Sequence, residues 1–211
     1  MTLKLYELWL CVKGLKPDLT KPIDYDILLF NKLCKPDKIL IFTDEIDNNI
    51  KKITNFYDCG GFVISQQSGK IPSRYKHKVE NFVDSFVIET KIKYDCLIIN
   101  SKNLLEILKN INKILNRSRN MIIILDLEYV NFIIDNLFKV SNLFQSFYFK
   151  STNNVNTVYL FCNIFISQDI NEIYDNLTND EKDINYLKFI NKFELVLMDK
   201  INYLMDHLQT K

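Results

Sequence analysis

Residues Met121–Phe165, MIIILDLEYVNFIIDNLFKVSNLFQSFYFKSTNNVNTVYLFCNIF, decide the fold of this 211-residue chain. They open with an apolar run that is typical of a buried strand, Met121–Leu125, and continue with helical periodicity near Glu128–Leu143. Two β-rich runs follow, Phe147–Phe149 and Val158–Phe165. The stretch therefore predicts the last strand, helix and β-hairpin of a doubly wound α/β sheet.

Strand and helix patterns also alternate in the preceding part of the chain. The sequence predicts strands in Lys38–Glu45, Cys59–Ser65, Phe82–Thr90 and Tyr94–Asn100, and helices in Asp47–Tyr57 and Leu104–Leu115. Asn116–Asn120, NRSRN, is predicted to be a polar connection. Such alternation with short loops indicates a Rossmann-like α/β sheet, mostly parallel, with helices on both faces and a C-terminal hairpin.

Helical patterns extend the chain on both sides of this region. Leu3–Leu15 and Tyr25–Leu33 predict two N-terminal helices, and a tail helix is predicted from about Asp183 to Leu208, after an acidic, polar segment. The apolar face of the tail helix is wider than a surface helix needs. We predict an N-terminal helical extension (1–36), a sheet domain (37–166) and a spacer with a C-terminal helix (167–211). The exposed side of the tail helix and the region around Trp9 are the expected association surfaces.

Composition restricts the classes of function. The chain has 27 basic and 26 acidic residues, so its net charge of +1 provides no overall field that would attract nucleic acid. Its five cysteines are an odd number and widely spaced, which favours buried free thiols in a reducing compartment. The N-terminal stretch MTLKLYELWLCVKGLKPD is interrupted by charges and predicts neither a signal peptide nor a membrane span. We therefore expect an intracellular protein without a membrane partner.

One local basic cluster has two interpretations. It comprises Lys70, Arg74, Lys76, His77 and Lys78, with Tyr75 among them. It is either a solvated loop or a contact for RNA phosphate or an acidic partner. Neither His77 nor His207 has a carboxylate or cysteine at ligand spacing, so no metal site is predicted. No serine or cysteine has a recognisable base partner, which argues against a nucleophilic hydrolase.

The order of elements, together with Lys150–Ser151 and Val158–Leu160 in the hairpin, resembles the FtsJ-type RNA methyltransferases, which are class I methyltransferases. In that family a glycine-rich turn after the first strand lets the backbone approach S-adenosylmethionine. The corresponding turn here, Thr43–Asp47, has the sequence TDEID and contains no glycine, and Gly60–Gly61 lies before the second strand instead. Asp44 and Glu45 remain candidate contacts for a ribose or an amino group.

The resemblance also implies a Lys–Asp–Lys–Glu tetrad, in which a lysine helps to deprotonate a ribose hydroxyl. Asn100 occupies the position of the family's Asp, Ile124–Asp126 covers that of the central Lys, and Thr157 occupies that of the Glu. Lys13 or Lys16 would supply the remaining lysine. Because three of the four positions are replaced, we predict no catalytic residue and no cofactor-binding residue in this chain.

A methyltransferase scaffold without these groups is similar to the small regulatory subunit of poxvirus-type mRNA-capping enzymes. The tail element Phe189–Phe193, FINKF, adds to that resemblance, which covers roughly Tyr94 to Leu208. It implies a heterodimer with the capping-enzyme large subunit, whose guanine-N7 methyltransferase domain this chain would stimulate allosterically. S-adenosylmethionine is then expected on the partner, RNA and RNA polymerase are reached indirectly, and the location is the cytoplasm or the virion of a virus-like element.

Two other functions remain open from the sequence. A divergent, active RNA 2′-O-methyltransferase predicts that the isolated chain binds S-adenosylmethionine. An RNA-binding accessory of a viral-type transcription apparatus, using residues 70–78, predicts salt-sensitive RNA binding without a partner.

Overall fold

The computed structural model describes residues 38–43, 61–66, 79–83, 94–100, 104, 107, 111–151, 156–166 and 178–209. Its strands are β1 (Lys38–Thr43), β2 (Gly61–Gln66), β3 (Val79–Val83), β4 (Tyr94–Asn100), β5 (Leu115–Asp126), β6 (Phe144–Ser151) and β7 (Thr157–Phe165). The helices are α1 (Ile111–Ile114), α2 (Val130–Ser141) and α3 (Asn179–Gln209). The predicted helices Leu3–Leu15, Tyr25–Leu33 and Asp47–Tyr57 and the basic cluster at 70–78 lie outside the described residues.

The strands form one seven-stranded sheet in the order β3-β2-β1-β4-β5-β7-β6. Strands β1 to β5 pair in parallel, whereas β7 runs antiparallel to both of its neighbours, β5 and β6. The order reverses between β1 and β4, because the chain first moves outward to β2 and β3 and then returns to the other side of β1. The predicted Rossmann-like sheet with a C-terminal hairpin is therefore confirmed.

The central strands are apolar because both of their faces are buried. Four consecutive residues of β4, Cys96–Ile99, have no exposed surface, although successive side chains point to opposite faces of a sheet. Burial raises the pKa of the Cys162 thiol in β7, which keeps it protonated and apolar. Cys96 and Cys162 are free, as predicted, and the other three cysteines lie outside the described residues.

The described helices pack on one face of the sheet. Helix α2 buries positions at helical spacing: Val130, Ile134, Leu137, Phe138 and Ser141. Helix α3 inserts Phe189 and Phe193 against Phe149 of β6, with ring centroids 5.2 Å apart in each pair. Phe189 also meets Phe138 of α2 at 5.6 Å, so an aromatic cluster joins α2, α3 and the hairpin. No described helix is both long enough and apolar enough to span a bilayer.

The prediction that Asn116–Asn120 is a connection is wrong, because these residues belong to β5. Their pairing with β4 is irregular: Tyr94 lies opposite Leu115, while Cys96 lies opposite Asn120. Two of the polar side chains, those of Arg119 and Asn120, have partners across the sheet. Arg119 Nε lies 3.1 Å from Asp95 Oδ1, and Asn120 Oδ1 accepts a 3.1 Å hydrogen bond from the backbone N–H of Ile164. That bond supports Ile164 at its positive φ of 59°, an uncommon angle for a β-branched residue.

Other predicted boundaries also differ from the structure. Strand β3 is Val79–Val83, so the predicted strand Phe82–Thr90 begins too late, and residues 84–90 lie outside the described part. Helix α3 begins at Asn179, four residues before the predicted start at Asp183. The division into three parts at residues 36 and 166 stays a prediction.

A capping box explains the earlier start of α3. Thr178 donates from its backbone N–H and its hydroxyl to Glu181 Oε2, both at 2.9 Å, and Glu181 N–H donates to Thr178 Oγ1 at 3.3 Å. These bonds lower the pKa of Glu181, because they favour its charged form. The helix is therefore nucleated by a local motif before its first buried residue.

Candidate functional site

The topology places a candidate site where the strand order reverses, between β1 and β4. In open α/β sheets, ligands bind outside the carboxyl ends of the strands at this switch point. The carboxyl ends of β1 and β4 are Thr43 and Asn100, and these two residues are register partners. Thr43 is buried and Asn100 is half-buried.

The other two predicted positions lie at the same edge. Strand β5 ends at Asp126, which pairs in register with Thr157 at the start of the antiparallel strand β7. The structure thus brings Thr43, Asn100, Asp126 and Thr157 to one edge of four adjacent strands, β1, β4, β5 and β7. Lys13, Lys16, Asp44 and Glu45 lie outside the described residues.

Asp126 has a structural role in the turn that enters α2. Its Oδ1 accepts a hydrogen bond from the backbone N–H of Glu128 at 3.0 Å, and its carbonyl accepts one from Tyr129 N–H at 3.1 Å. Leu127 N–H donates to the carbonyl of Asn156 at 2.8 Å, which ties this turn to the start of β7. The exposed carboxylate is therefore held as the cap of a tight turn.

The strands that carry this edge have no lysine at the position that the tetrad requires. Strands β4, β5 and β7 contain no lysine at all. Lys150 of β6 lies in register with Tyr159 of β7, which in turn pairs with Ile124 of β5. With strands spaced by about 4.8 Å, the backbone of Lys150 lies roughly 10 Å from the position of the central lysine. An amide and a hydroxyl, at Asn100 and Thr157, stand where carboxylates would position that lysine.

The described strand ends differ from those that commonly hold S-adenosylmethionine or a dinucleotide in two respects. A dinucleotide or similar cofactor in a doubly wound fold uses a glycine turn after the first strand and a carboxylate near the end of the second. Strand β2 ends in Gln66, and Thr43–Asp47 contains no glycine. The described strand ends Thr43, Gln66 and Asn100 are therefore neutral. No cluster of three or more His, Cys, Asp or Glu side chains occurs in the described part of the chain that could hold a metal.

Two exposed aromatic residues lie beside this edge and were not predicted as part of the site. Tyr129 precedes α2, and Phe132 lies in its first turn, with 81% of its surface exposed. The exposure of Phe132 could have been predicted from the sequence. Phe132 lies off the helical face that is buried at positions 130, 134, 137, 138 and 141. Arg119 was also missed as a partner of Asp95, since the two residues approach only through the pairing of β4 with β5.

No protein-family model matches this chain, and no curated protein matches it. Solved structures do resemble it. The O-methyltransferase TomG from Streptomyces achromogenes, solved with SAM, superposes with a TM-score of 0.52 at 11% identity, covering 76% of this chain and 90% of TomG. A ribosomal RNA methyltransferase from Plasmodium falciparum gives a TM-score of 0.48 at 13% identity, covering 68% of this chain and 97% of its own.

An rRNA methylase from Streptococcus thermophilus gives a TM-score of 0.43 at 10% identity, covering 68% of this chain and 99% of its own. At these identities the likeness establishes only the fold. The superposition on TomG supports the same fold class as the strand order. The chain has the Rossmann-like fold of the class I methyltransferases.

Proposed function

We propose that this chain is a non-catalytic regulatory subunit that binds and allosterically stimulates the guanine-N7 methyltransferase domain of a viral-type mRNA-capping enzyme. The observation that carries the proposal is the composition of the carboxyl edge. Asn100, Ile124–Asp126 and Thr157 meet where the FtsJ-type resemblance places Asp, Lys and Glu. Neither an amide nor a hydroxyl can replace a lysine or a carboxylate in general acid–base catalysis at neutral pH.

A protein whose sheet has no catalytic groups can still regulate a partner protein. Stimulation requires that the chain bind the active conformation of the partner more tightly than the inactive one, and it requires no catalytic group. The aromatic cluster of Phe138, Phe189 and Phe149 is buried and packs α2, α3 and the hairpin into one body. S-adenosylmethionine would be held by the partner, in the cytoplasm or the virion, and RNA and RNA polymerase would be reached through it.

The test is a methylation assay with the N7-methyltransferase domain of a capping-enzyme large subunit, alone and with this full-length chain. Allosteric couplings are typically worth about 1–3 kcal/mol, so we expect kcat/KM to rise by about 5- to 150-fold. Asn100→Asp is the matched control in the edge, and it should stimulate as well as the wild type. Unchanged turnover in a complex that gel filtration shows to be formed would refute the stimulatory role.

Two other outcomes would replace the proposal. Asp126 is the one carboxylate at the ends of the four described strands that form this edge, β1, β4, β5 and β7, and it would be the starting point for a divergent 2′-O-methyltransferase. That function requires the isolated chain to transfer a labelled methyl group to the ribose of capped RNA. An RNA-binding accessory would instead bind RNA without a partner, with an affinity that falls steeply as salt increases.

A further inference from the structure

Helix α3 has a second apolar face, which points away from the core. We call it the α3 stripe; it consists of Ile184, Leu187, Leu195, Met198 and Met205, all exposed. Leu195, at its centre, is 62% exposed. At 100° per residue, the five side chains fall within a sector of roughly 80°. The stripe is therefore one continuous line along the helix.

The buried face of α3 lies on the other side. Phe189, Phe193, Leu197 and Leu204 are almost fully buried, and the two phenylalanines pack on β6. The stripe therefore does not hold α3 to the sheet. Single exposed apolar residues are common, but the stripe runs from residue 184 to residue 205, which is about 32 Å of helix. An ordered apolar line of this length matches the contact face of a second helix.

The borders of the stripe are acidic. At helical spacing beside or between its members lie six carboxylates, at Asp180, Glu181, Asp183, Glu194, Asp199 and Asp206. Lys188 is the basic residue on the same border. Lys192 is turned toward the sheet: its Nζ donates to the carbonyl of Phe147 at 3.3 Å and lies 4.1 Å from the centroid of that ring. A partner that covers the stripe therefore meets a predominantly negative rim.

This charge excludes several occupants. A second copy would bring acidic rims together, and in an antiparallel pair centred on Leu195 the two Glu194 carboxylates would face each other. Nucleic acid and an anionic bilayer are both negatively charged and would be repelled. The complementary surface is apolar at its centre and basic at its edges.

We propose that the α3 stripe docks an amphipathic helix of a different protein, whose apolar positions recur every three and four residues and are bordered by lysine and arginine. Asn191 and Asn202 lie within the same sector as the stripe. Buried asparagines at such positions fix the register of paired helices, so these two residues select the alignment of the partner. The inference goes beyond the regulatory function, because it holds for any protein that presents such a helix.

The test uses two designed peptides of four heptads with leucine at positions a and d. One has lysine and arginine at e and g, and the other has glutamate there. The full-length chain should bind the basic peptide at least about tenfold more tightly, a difference of about 1.4 kcal/mol, measured by fluorescence anisotropy. The advantage should shrink as the salt concentration is raised.

Variants locate the binding surface. The double variant Leu195→Gln, Met198→Gln should weaken binding of the basic peptide by at least about tenfold, because it removes the centre of the apolar line. Phe132→Gln is the matched control: it removes a more exposed apolar side chain from α2 and should leave the affinity unchanged. Circular dichroism should show the same helix content in all three proteins.

The inference is overturned if neither peptide binds, if both bind equally, or if the double variant binds like the wild type. It is also overturned if sedimentation shows the chain to be a dimer that the double variant dissociates, since a second copy would then cover the stripe. These readouts involve no methyl transfer, so their failure is distinct from failure of the regulatory function.

Discussion

The interior of the sheet and its carboxyl edge differ in how strongly packing restricts their residue types. In the interior, residues such as Ile98 and Ile123 are fully buried on strands whose two faces are covered, and any polar substitution there would leave an unsatisfied group. At the edge, Asn100 ends β4 and is only half-buried, so its identity is not set by the packing of the core, whereas Thr157 begins β7 and is buried. The sheet can therefore be maintained while its edge loses catalytic groups, and the methyltransferase fold alone does not establish methyl transfer.

The largest expected effect is in the interior. Phe193→Ala removes a fully buried ring that packs on Phe149, and we expect the free energy of unfolding to fall by about 3–5 kcal/mol. Leu195→Ala, two residues away on the exposed stripe, should change it by less than about 0.5 kcal/mol. Urea denaturation of both variants measures the difference. Similar losses would show that the two faces of α3 are assigned wrongly.

A smaller effect is expected at the amino-terminal part of the paired strands β4 and β5. Arg119→Met removes the cation that lies 3.1 Å from the mostly buried Asp95. Because the guanidinium is partly exposed and screened, we expect a loss of about 1–2 kcal/mol. The double variant with Asp95→Asn should lose less than the sum of the single variants. Additive losses would mean that the two side chains do not interact.

A still smaller effect is expected at the start of α3, where the hydrogen bonds of the capping box contribute to the free energy of unfolding. Thr178→Ala removes the cap, and we expect it to cost about 1 kcal/mol. Because the pKa of Glu181 is lowered in the folded chain, its contribution is present above its ordinary value of about 4.3 and is lost as the pH falls through the folded value. The stability difference between wild type and Glu181→Gln should therefore shrink in acid. A constant difference from pH 7 to pH 3 would contradict this linkage.

The smallest effects are expected at the carboxyl edge. Asp126→Asn keeps an oxygen that can accept the bond from Glu128 N–H, so the free energy of unfolding should change by less than about 0.5 kcal/mol. The same variant should stimulate the partner as the wild type does. A loss of stimulation with unchanged stability would give Asp126 a functional role.

Much of the fold follows from the sequence because its central strands are short apolar runs between polar segments. Tyr94–Asn100 is predicted with its observed bounds, and the order of strand, helix and hairpin after Met121 is also correct. The polar start of β5 could not be recognised, since Arg119 and Asn120 are satisfied by Asp95 and Ile164, which are distant in sequence. Local periodicity carries no information on such partners.

The tail helix shows a second limit. Its apolar residues fill two faces, and the structure leaves Ile184 and Leu187 exposed while it buries Phe189 and Phe193. Which face is buried depends on the hairpin, through Phe149, and not on the helix. The earlier start of α3 could have been predicted from the sequence, because Thr178 and Glu181 have the spacing of a capping box.

The candidate site was predictable only in part. The resemblance selected Asn100, Asp126 and Thr157 as related positions, and the structure brings them to one edge. That Thr43 faces Asn100 across the switch point depends on the strand order, which the sequence alone does not specify.

Calorimetric titration of S-adenosylmethionine into the isolated chain at neutral pH measures whether the carboxyl edge can hold a methyl donor. We expect no binding heat at millimolar ligand, because the strand ends Thr43, Gln66 and Asn100 offer neither a glycine turn nor a carboxylate for the ribose. A saturable isotherm with one site per chain and micromolar affinity would contradict this expectation.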